Sequence, residues 1–390
     1  MPKEIPDCKR FSGYKPCFPD HNCWENGCKD NIPSGTKILI INLDAMGDVL
    51  MTTAQLPALK RKFHESTVYW VTDKISKALL FNNHLVDHVY PLDAETILIL
   101  SQIKFDYVMN ADKSQRSCAM LNSVNAKNKL GFGLNEDGKI IPVNEGADYN
   151  FRLGMDNQLK FRENTRTGQD YLAETFDLEY KRDEYVFKFT NDELKFISDY
   201  KKEVGITNND FVVGFNTGCS ELYPNKKMTI EQHIYLIDKL LNTKRPALSA
   251  DRPAGRYKIA LFGGPEDTER NNEIYSAFEG KIINTPTTHG LRKGMCYESI
   301  ADIVITGDSL GMHIAIALKK YIIAWFGVSC WTEIDLYERG IKIYQEDLFC
   351  SPCWKKICPY NLECISMIDL DRIIDEVDNY FEKKHSTVRR

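Results

Sequence analysis

A chain of 390 residues is too long for one ordinary core, so two domains of similar size are the first expectation. Apolar residues make up 43% and charged residues 27%, and no stretch approaches the roughly 18 unbroken apolar residues that a spanning helix needs. A net charge of -5 gives no global attraction to nucleic acid, so an anionic ligand must be met by local groups. The N-terminus, MPKEIPDCKR, lacks an apolar signal region and points to the cytoplasm.

Residues 1–34 carry Pro2, Pro6, Pro16, Pro19 and Pro33 together with Cys8, Cys17, Cys23 and Cys28, without an apolar period; this reads as a cysteine-rich extension outside any core. From Lys37 the pattern becomes KILIINL, AQLPALKRKF, STVYWVT, ISKALLFNNH, DHVY and FDYVMN, short apolar strands alternating with helical stretches. That alternation predicts a parallel sheet covered on both faces. Across 130–190 it weakens, with a loop-rich GFGLNEDGKIIPVNEGADYN and no clear strands. A second run follows: FVVGFN, the helix EQHIYLIDKLL, KIALFGG, KIINTP, IADIVITGD, IAIALKK and YIIAWFG, with KRPALSADRPAGR (244–256) as a surface loop. The expectation is an α/β protein of two Rossmann-like domains, residues 35–190 and 191–370, facing a cleft, then a helix and tail over 371–390.

Polar clusters stand where these strands end. Asp48 follows Gly47 at the start of the helix after the first strand; it suits a helix cap as well as chemistry. A dinucleotide-binding turn would supply three glycines, and Asp44-Ala45-Met46-Gly47-Asp48 supplies one. After FVVGF come Asn216, Thr217 and Gly218, then Lys226 and Lys227, a set able to hold phosphate oxygens through backbone N–H groups and an ammonium, or to form a glycine turn with solvated lysines. Gly264, Glu266 and Asp267 follow KIALF, and Asp308, Ser309, Gly311 and His313 follow DIVIT. Carboxylates there can accept from sugar hydroxyls, and Gly-Asp-Ser at a helix start leaves N–H groups for a diphosphate; His313 equally suits a satisfied histidine on its helix.

Together these motifs resemble the family 9 glycosyltransferases, best known as ADP-heptose lipopolysaccharide heptosyltransferases, over residues 36–370. The resemblance implies a GT-B architecture and inverting transfer of a sugar from a nucleotide diphosphate donor to a glycan, lipid or protein hydroxyl, without a catalytic cofactor. It implies Asp48 as general base, Lys226 and Thr217 at the phosphates, Asp267 or Glu266 at the ribose, and Asp308 with His313 near the donor. The glycine of the Asp308-Ser309-Leu310-Gly311 segment lies one place later than in many members. Peripheral membrane association and oligomerisation stay open, and nucleic acid is not expected as a partner.

Twelve cysteines are many for a cytoplasmic chain, and eight of them form two edge clusters. Cys350, Cys353, Cys358 and Cys364 are spaced C-x2-C-x4-C-x5-C, which suits a tetrahedral zinc or iron ion in a closed structural site, with reduced structural thiols as the alternative. Similar runs occur in family members that resemble iron-binding autotransporter heptosyltransferases. Cys8, Cys17, Cys23 and Cys28 are more loosely spaced; His21 is a further donor, and whether there are one or two sites stays open.

Overall fold

The computed structural model describes residues 4–43, 45–243 and 257–386; the loop expected at 244–256, Asp44 and the tail beyond 386 lie outside these. The chain packs as two compact units, Met1–Met155 with Gln169–Asp183, and Asp156–Gly168 with Glu184–Arg390.

The first unit begins with the cysteine-rich extension, whose helix α1 (Cys23–Asn26) is capped by the Asn22 side chain and buries no residue. Strands β1 (Thr36–Ile41), β2 (Ser66–Thr72), β3 (His88–Pro91), β4 (Phe105–Asn110), β5 (Ala126–Leu134) and β6 (Ile140–Pro142) form one sheet in the order β3-β2-β1-β4-β5-β6. Pairing is parallel except between β5 and β6. Ile38 to Ile41 of β1 are all fully buried, as the continuous apolar run requires of a strand covered on both faces. After β1 come α2 (Met46–Thr52) and α3 (Gln55–Lys62). In α3, Pro57 falls in the first turn, where its missing N–H costs nothing, and Lys60, Arg61 and Lys62 fall in the last, where cations offset the dipole.

In the second unit β7 (Val212–Asn216), β8 (Lys258–Phe262), β9 (Ile283–Asn284), β10 (Ile303–Gly307), β11 (Tyr321–Trp325) and β12 (Gly340–Ile343) lie in the order β12-β11-β10-β7-β8-β9, all parallel. Helices α4 (Ile230–Asn242), α5 (Thr268–Ser276), α6 (Leu310–Ala317) and α7 (Leu370–Ser386) belong to this unit. Leu236 and Leu240 of α4, Ile274 of α5, and Ile373, Val377 and Phe381 of α7 pack with Val213, Leu261 and Ile303 into its core.

Each sheet has the doubly wound Rossmann order, reversing direction between β1 and β4 and between β7 and β10. Such reversal points open a crevice at the carboxyl ends of the strands. The alternation read from the sequence thus gives the two sheets, with two differences. The stretch read as loop-rich contains β5 and β6, whose polar AKNKLGFGL and short IIP form a sheet edge with Lys127 and Asn128 exposed, so no apolar run marks them. The helix expected over ISKALLFNNH is four residues, Lys77–Leu80, with Asn82 left-handed just beyond its end. Among the described residues no helix is long and apolar enough to cross a membrane.

Candidate active site

The sequence-singled residues of the second unit converge on the reversal point between β7 and β10. The pairing Thr306↔Asn216 places the two strand ends side by side. The Asn216 amide donates to Ser309 Oγ at 2.8 Å, to Thr306 Oγ1 at 3.1 Å and to the Gly218 carbonyl at 3.3 Å, tying the two exit loops together. Ser309 is the N-cap residue of α6, yet its hydroxyl makes no capping bond and accepts from Asn216 instead. A Cβ on Gly311 would lie 2.4 Å from the Asn216 amide, so a glycine at this later position is what lets the start of α6 approach β7.

Lys226 and Asp308 form an ion pair at 2.7 Å, each side chain 13% exposed. Burial disfavours the charged Asp308, but the Lys226 ammonium hydrogen-bonded to it outweighs that cost and holds the carboxyl below its ordinary value. The Lys226 Nζ also stands 4.4 Å from the centre of the Trp354 ring, and the Lys226 carbonyl accepts from Trp325 Nε1 at 2.9 Å. His313 is buried; burial pushes its imidazole down to about 4 against the pull of Asp308, and its Nδ1 shares a hydrogen bond of 3.0 Å with the Tyr185 hydroxyl. At pH 7 the ring is therefore neutral.

On the other side of β7, Gly218 backs onto Asp267, whose Oδ1 would lie 1.9 Å from a Cβ there. Asp267 Oδ2 accepts from the Gly264 N–H at 2.9 Å, while the buried Oδ1 has no hydrogen-bond partner and Lys227 Nζ stands 4.0 Å away. Burial raises this carboxyl above its ordinary value, with the Gly264 N–H working against it. Glu266 next to it is exposed, so the two acidic residues face different surroundings. Thr217 is buried and its hydroxyl bonds Asn271 of α5.

Sequence reading missed two residues here. Arg270 of α5 donates through Nε to the Thr217 carbonyl at 3.1 Å and through Nη2 to the Met228 carbonyl, bracing the loop that leads to Lys226. Nothing distinguishes it in sequence from other charged helix residues. The other is Trp354, which lies among the C-terminal cysteines in sequence and meets the Lys226 ammonium only through the fold.

In the first unit Asp48 is the third residue of α2, exposed, in the first turn where the helix dipole favours a carboxylate. The N-cap position belongs to Ala45, at φ 51°, a left-handed value that a non-glycine residue adopts only when its surroundings impose it. Asp112, just past β4 and 9% exposed, accepts from the Asn42 amide at 2.7 Å and from the Leu43 N–H, pinning the exit of β1. It too was missed, although a carboxylate beyond a strand end was the same signal that drew attention to Asp48.

The C-terminal cysteines come together: Cys350, Cys353, Cys358 and Cys364 line one cavity of about 10 Å³ with Val328, Leu362 and Glu363. That is about the space of one water or ion. The Tyr360 N–H donates to Cys358 Sγ at 3.4 Å, and burial, with the neighbouring thiols, pushes the Cys364 thiol up to about 11. This segment rests on the Lys226 loop. The Asn225 amide donates to the carbonyls of Lys355 (3.4 Å) and Lys356 (2.9 Å), and Trp354 meets Tyr223 edge to face at 5.1 Å.

Residues 98–363 match the profile of Glycosyltransferase family 9 (heptosyltransferase). The chain belongs to that family. It is a glycosyltransferase, with the pair of Rossmann-like units that GT-B enzymes share. Lipopolysaccharide heptosyltransferase 1 of Campylobacter coli is 25% identical over 312 residues, spanning 75% of this chain and 84% of the relative. Among solved structures, the ADP-heptose lipopolysaccharide heptosyltransferase II of E. coli superposes with a TM-score of 0.64 at 17% identity, over 90% of this chain and 99% of the other. The dodecameric iron-containing heptosyltransferase TibC, from enterotoxigenic E. coli, solved with ADP-D-beta-D-heptose, superposes with a TM-score of 0.51 at 10% identity, over 90% of this chain and 79% of the other.

Proposed function

We propose that this glycosyltransferase moves heptose from ADP-heptose, with inversion, onto a hydroxyl of a lipopolysaccharide-type glycan or of another lipid or protein acceptor, in the cytoplasm. The observation that carries the reading is the Lys226–Asp308 pair at the β7/β10 reversal point, with Asn216, Thr217, Gly218 and Ser309 around it. In this reading the diphosphate displaces the carboxylate from Lys226 and takes N–H groups from the starts of the Thr217-Gly218 and Ser309-Gly311 segments. The free Asp267 oxygen accepts from a ribose hydroxyl, and His313, neutral and bonded to Tyr185, leaves Lys226 as the cation for the diphosphate.

Asp48 removes the proton of the acceptor hydroxyl; the acceptor oxygen bonds to the anomeric carbon as the bond to the diphosphate oxygen breaks, and that electron pair leaves with ADP. Charge grows on the leaving oxygen as the bond lengthens, so Lys226 and the N–H dipoles stabilise the transition state more than the ground state. The base is drawn from α2, held by the Asp112 contacts to the β1 exit.

The C-terminal thiols fit a structural metal: four sulfurs around an ion-sized space, one already accepting a backbone N–H, as ligated thiolates do. Zinc or iron there would fix the fold of the segment that carries Trp354, with no open position for substrate.

A screen of purified protein against ADP-, UDP- and GDP-sugars tests the donor. ADP-heptose is expected to raise the melting temperature with the largest shift; a response to a UDP- or GDP-sugar but none to ADP-heptose would replace the donor assignment. No thermal or calorimetric response to any nucleotide sugar would favour a metal-binding scaffold with a vestigial sugar site.

A further inference from the structure

The chain passes from the first unit to the second between Asp183 and Glu184, and it is fastened on both sides of that step. Asp183 accepts from Arg61 Nη1 and Nη2 at 2.7 and 2.6 Å, within the first unit. Glu184 accepts from Arg339 Nη1 at 2.7 Å and pairs with Lys319 at 2.5 Å, within the second. No strand or helix includes residues 181–190, so side chains alone hold this segment, and Tyr185 is the one residue of the ten that is buried.

A tyrosine buried to 5% exposure needs a partner for its hydroxyl, because an unpaired polar group costs free energy once water is removed. That partner is His313 Nδ1 at 3.0 Å, also on a residue 5% exposed. The two rings lie nearly parallel, 13° apart with centroids at 6.1 Å, and the Tyr337 ring meets Tyr185 edge to face at 6.1 Å. Packing therefore fixes the phenol ring independently of the bond it makes. His313 stands in the first turn of α6, which begins at the β7/β10 reversal point. A neutral imidazole has a single N–H, so the bond to Tyr185 decides what its other nitrogen presents. With the proton on Nδ1 the ring would donate to the phenol oxygen, and Nε2 would turn a lone pair towards any anion bound at the start of α6. With the phenol donating to Nδ1, the proton sits on Nε2 and the ring presents an uncharged donor instead. An anion repels the first form and is bound by the second.

We propose that Tyr185 is a positioning residue for donor binding: its hydroxyl donates to His313 Nδ1 and holds the ring in the Nε2–H form, whose N–H goes to a diphosphate oxygen. Tyr185 touches neither substrate nor the reacting atoms, and no proton is transferred. The contact with the diphosphate rests on the donor reading given above; the tautomer does not. Because Tyr185 follows the crossing point by two residues, the segment that enters the second unit is tied to the ring that meets the donor.

The test reads the ring directly in full-length protein carrying 15N-histidine. Long-range 1H–15N correlation at pH 7 distinguishes the two neutral forms, and the His313 signals are those that vanish in His313→Gln. The wild type should show Nε2 protonated and Nδ1 as a hydrogen-bonded acceptor. In Tyr185→Phe the Nδ1 signal should move as the bond is lost, whereas Tyr337→Phe, which keeps the ring packing, should leave it in place. Affinity for ADP by calorimetry should weaken about 2- to 10-fold in Tyr185→Phe, with the same factor in the donor KM and none in the acceptor KM. In a His313→Gln background Tyr185→Phe should add nothing further. A wild-type ring protonated at Nδ1 overturns the inference whether or not ADP binds. An ADP affinity unchanged in Tyr185→Phe, or weakened equally when His313 is already replaced, overturns it as well. The expected tautomer in a protein that binds UDP or GDP but not ADP would keep Tyr185 in its role and remove the ADP-heptose reading instead.

Discussion

Replacing Lys226 by Met leaves the Asp308 carboxylate buried without its cation. At 2.7 Å and an effective dielectric constant of about 20, the attraction is about 6 kcal/mol before desolvation is charged against it. Both side chains are 13% exposed, so screening by water is limited, and removal of one partner should cost about 3–5 kcal/mol. Asp308→Asn should cost less, because Lys226 keeps its contact with the Trp354 ring. The double variant should then be more stable than Lys226→Met alone, with a coupling energy of about 2 kcal/mol or more. Urea unfolding followed by tryptophan fluorescence measures this, since Trp325, Trp331 and Trp354 all belong to the second unit. The pH dependence has a definite sign. With its folded value held below the unfolded one of about 3.9, Asp308 stabilises the native state above that pH, and the gain is lost as pH falls through the folded value. In Lys226→Met burial is unopposed and the carboxyl rises instead, so that variant recovers stability on acidification and its deficit narrows. Additive single effects, or a deficit that stays the same from pH 7 to pH 4, would refute the ion-pair reasoning.

Other consequences follow from the same geometry. His313 titrates near 4 when folded and about 6.5 when unfolded, so its contribution is intact above pH 6.5 and is lost as pH falls towards 4, a change of about 3 kcal/mol; His313→Gln should remove that part of the acid sensitivity in urea titrations at pH 7 and pH 4.5. Gly311→Ala puts a Cβ 2.4 Å from the Asn216 amide and should destabilise by about 1–3 kcal/mol and weaken nucleotide binding, read by calorimetry. Cys350→Ser/Cys353→Ser should weaken nucleotide-sugar binding although neither cysteine belongs to the strand-end loops, because Trp354 and the carbonyls of Lys355 and Lys356 hold the Lys226 loop; unchanged affinity would show that the segment and the loop are independent.

The sheets were legible because KILIIN, FVVGFN, DIVIT and YIIAW are apolar runs that only a strand buried on both faces can use. β5 and β6 were not, since an edge strand tolerates Lys127 and Asn128 and carries little apolar signal. At the site, residues next to strand ends could be read from position, which is how Asn216, Asp308 and Asp48 stood out. Arg270 and Trp354 reach the Lys226 loop from a helix and from a distant cysteine segment, and only the tertiary fold brings them there. The displaced glycine of Asp308-Ser309-Leu310-Gly311 looked like a departure from the family; its backbone contact with Asn216 gives it a packing reason.

The central claim is that Asp48 takes the acceptor proton. Single-turnover transfer from ADP-heptose, compared between the wild type and Asp48→Asn with the donor dissociation constant measured on the same samples, tests it directly. The Asp48→Asn rate should be lower by about 10²- to 10⁴-fold with donor affinity unchanged. A transfer rate within a few-fold of wild type would contradict it.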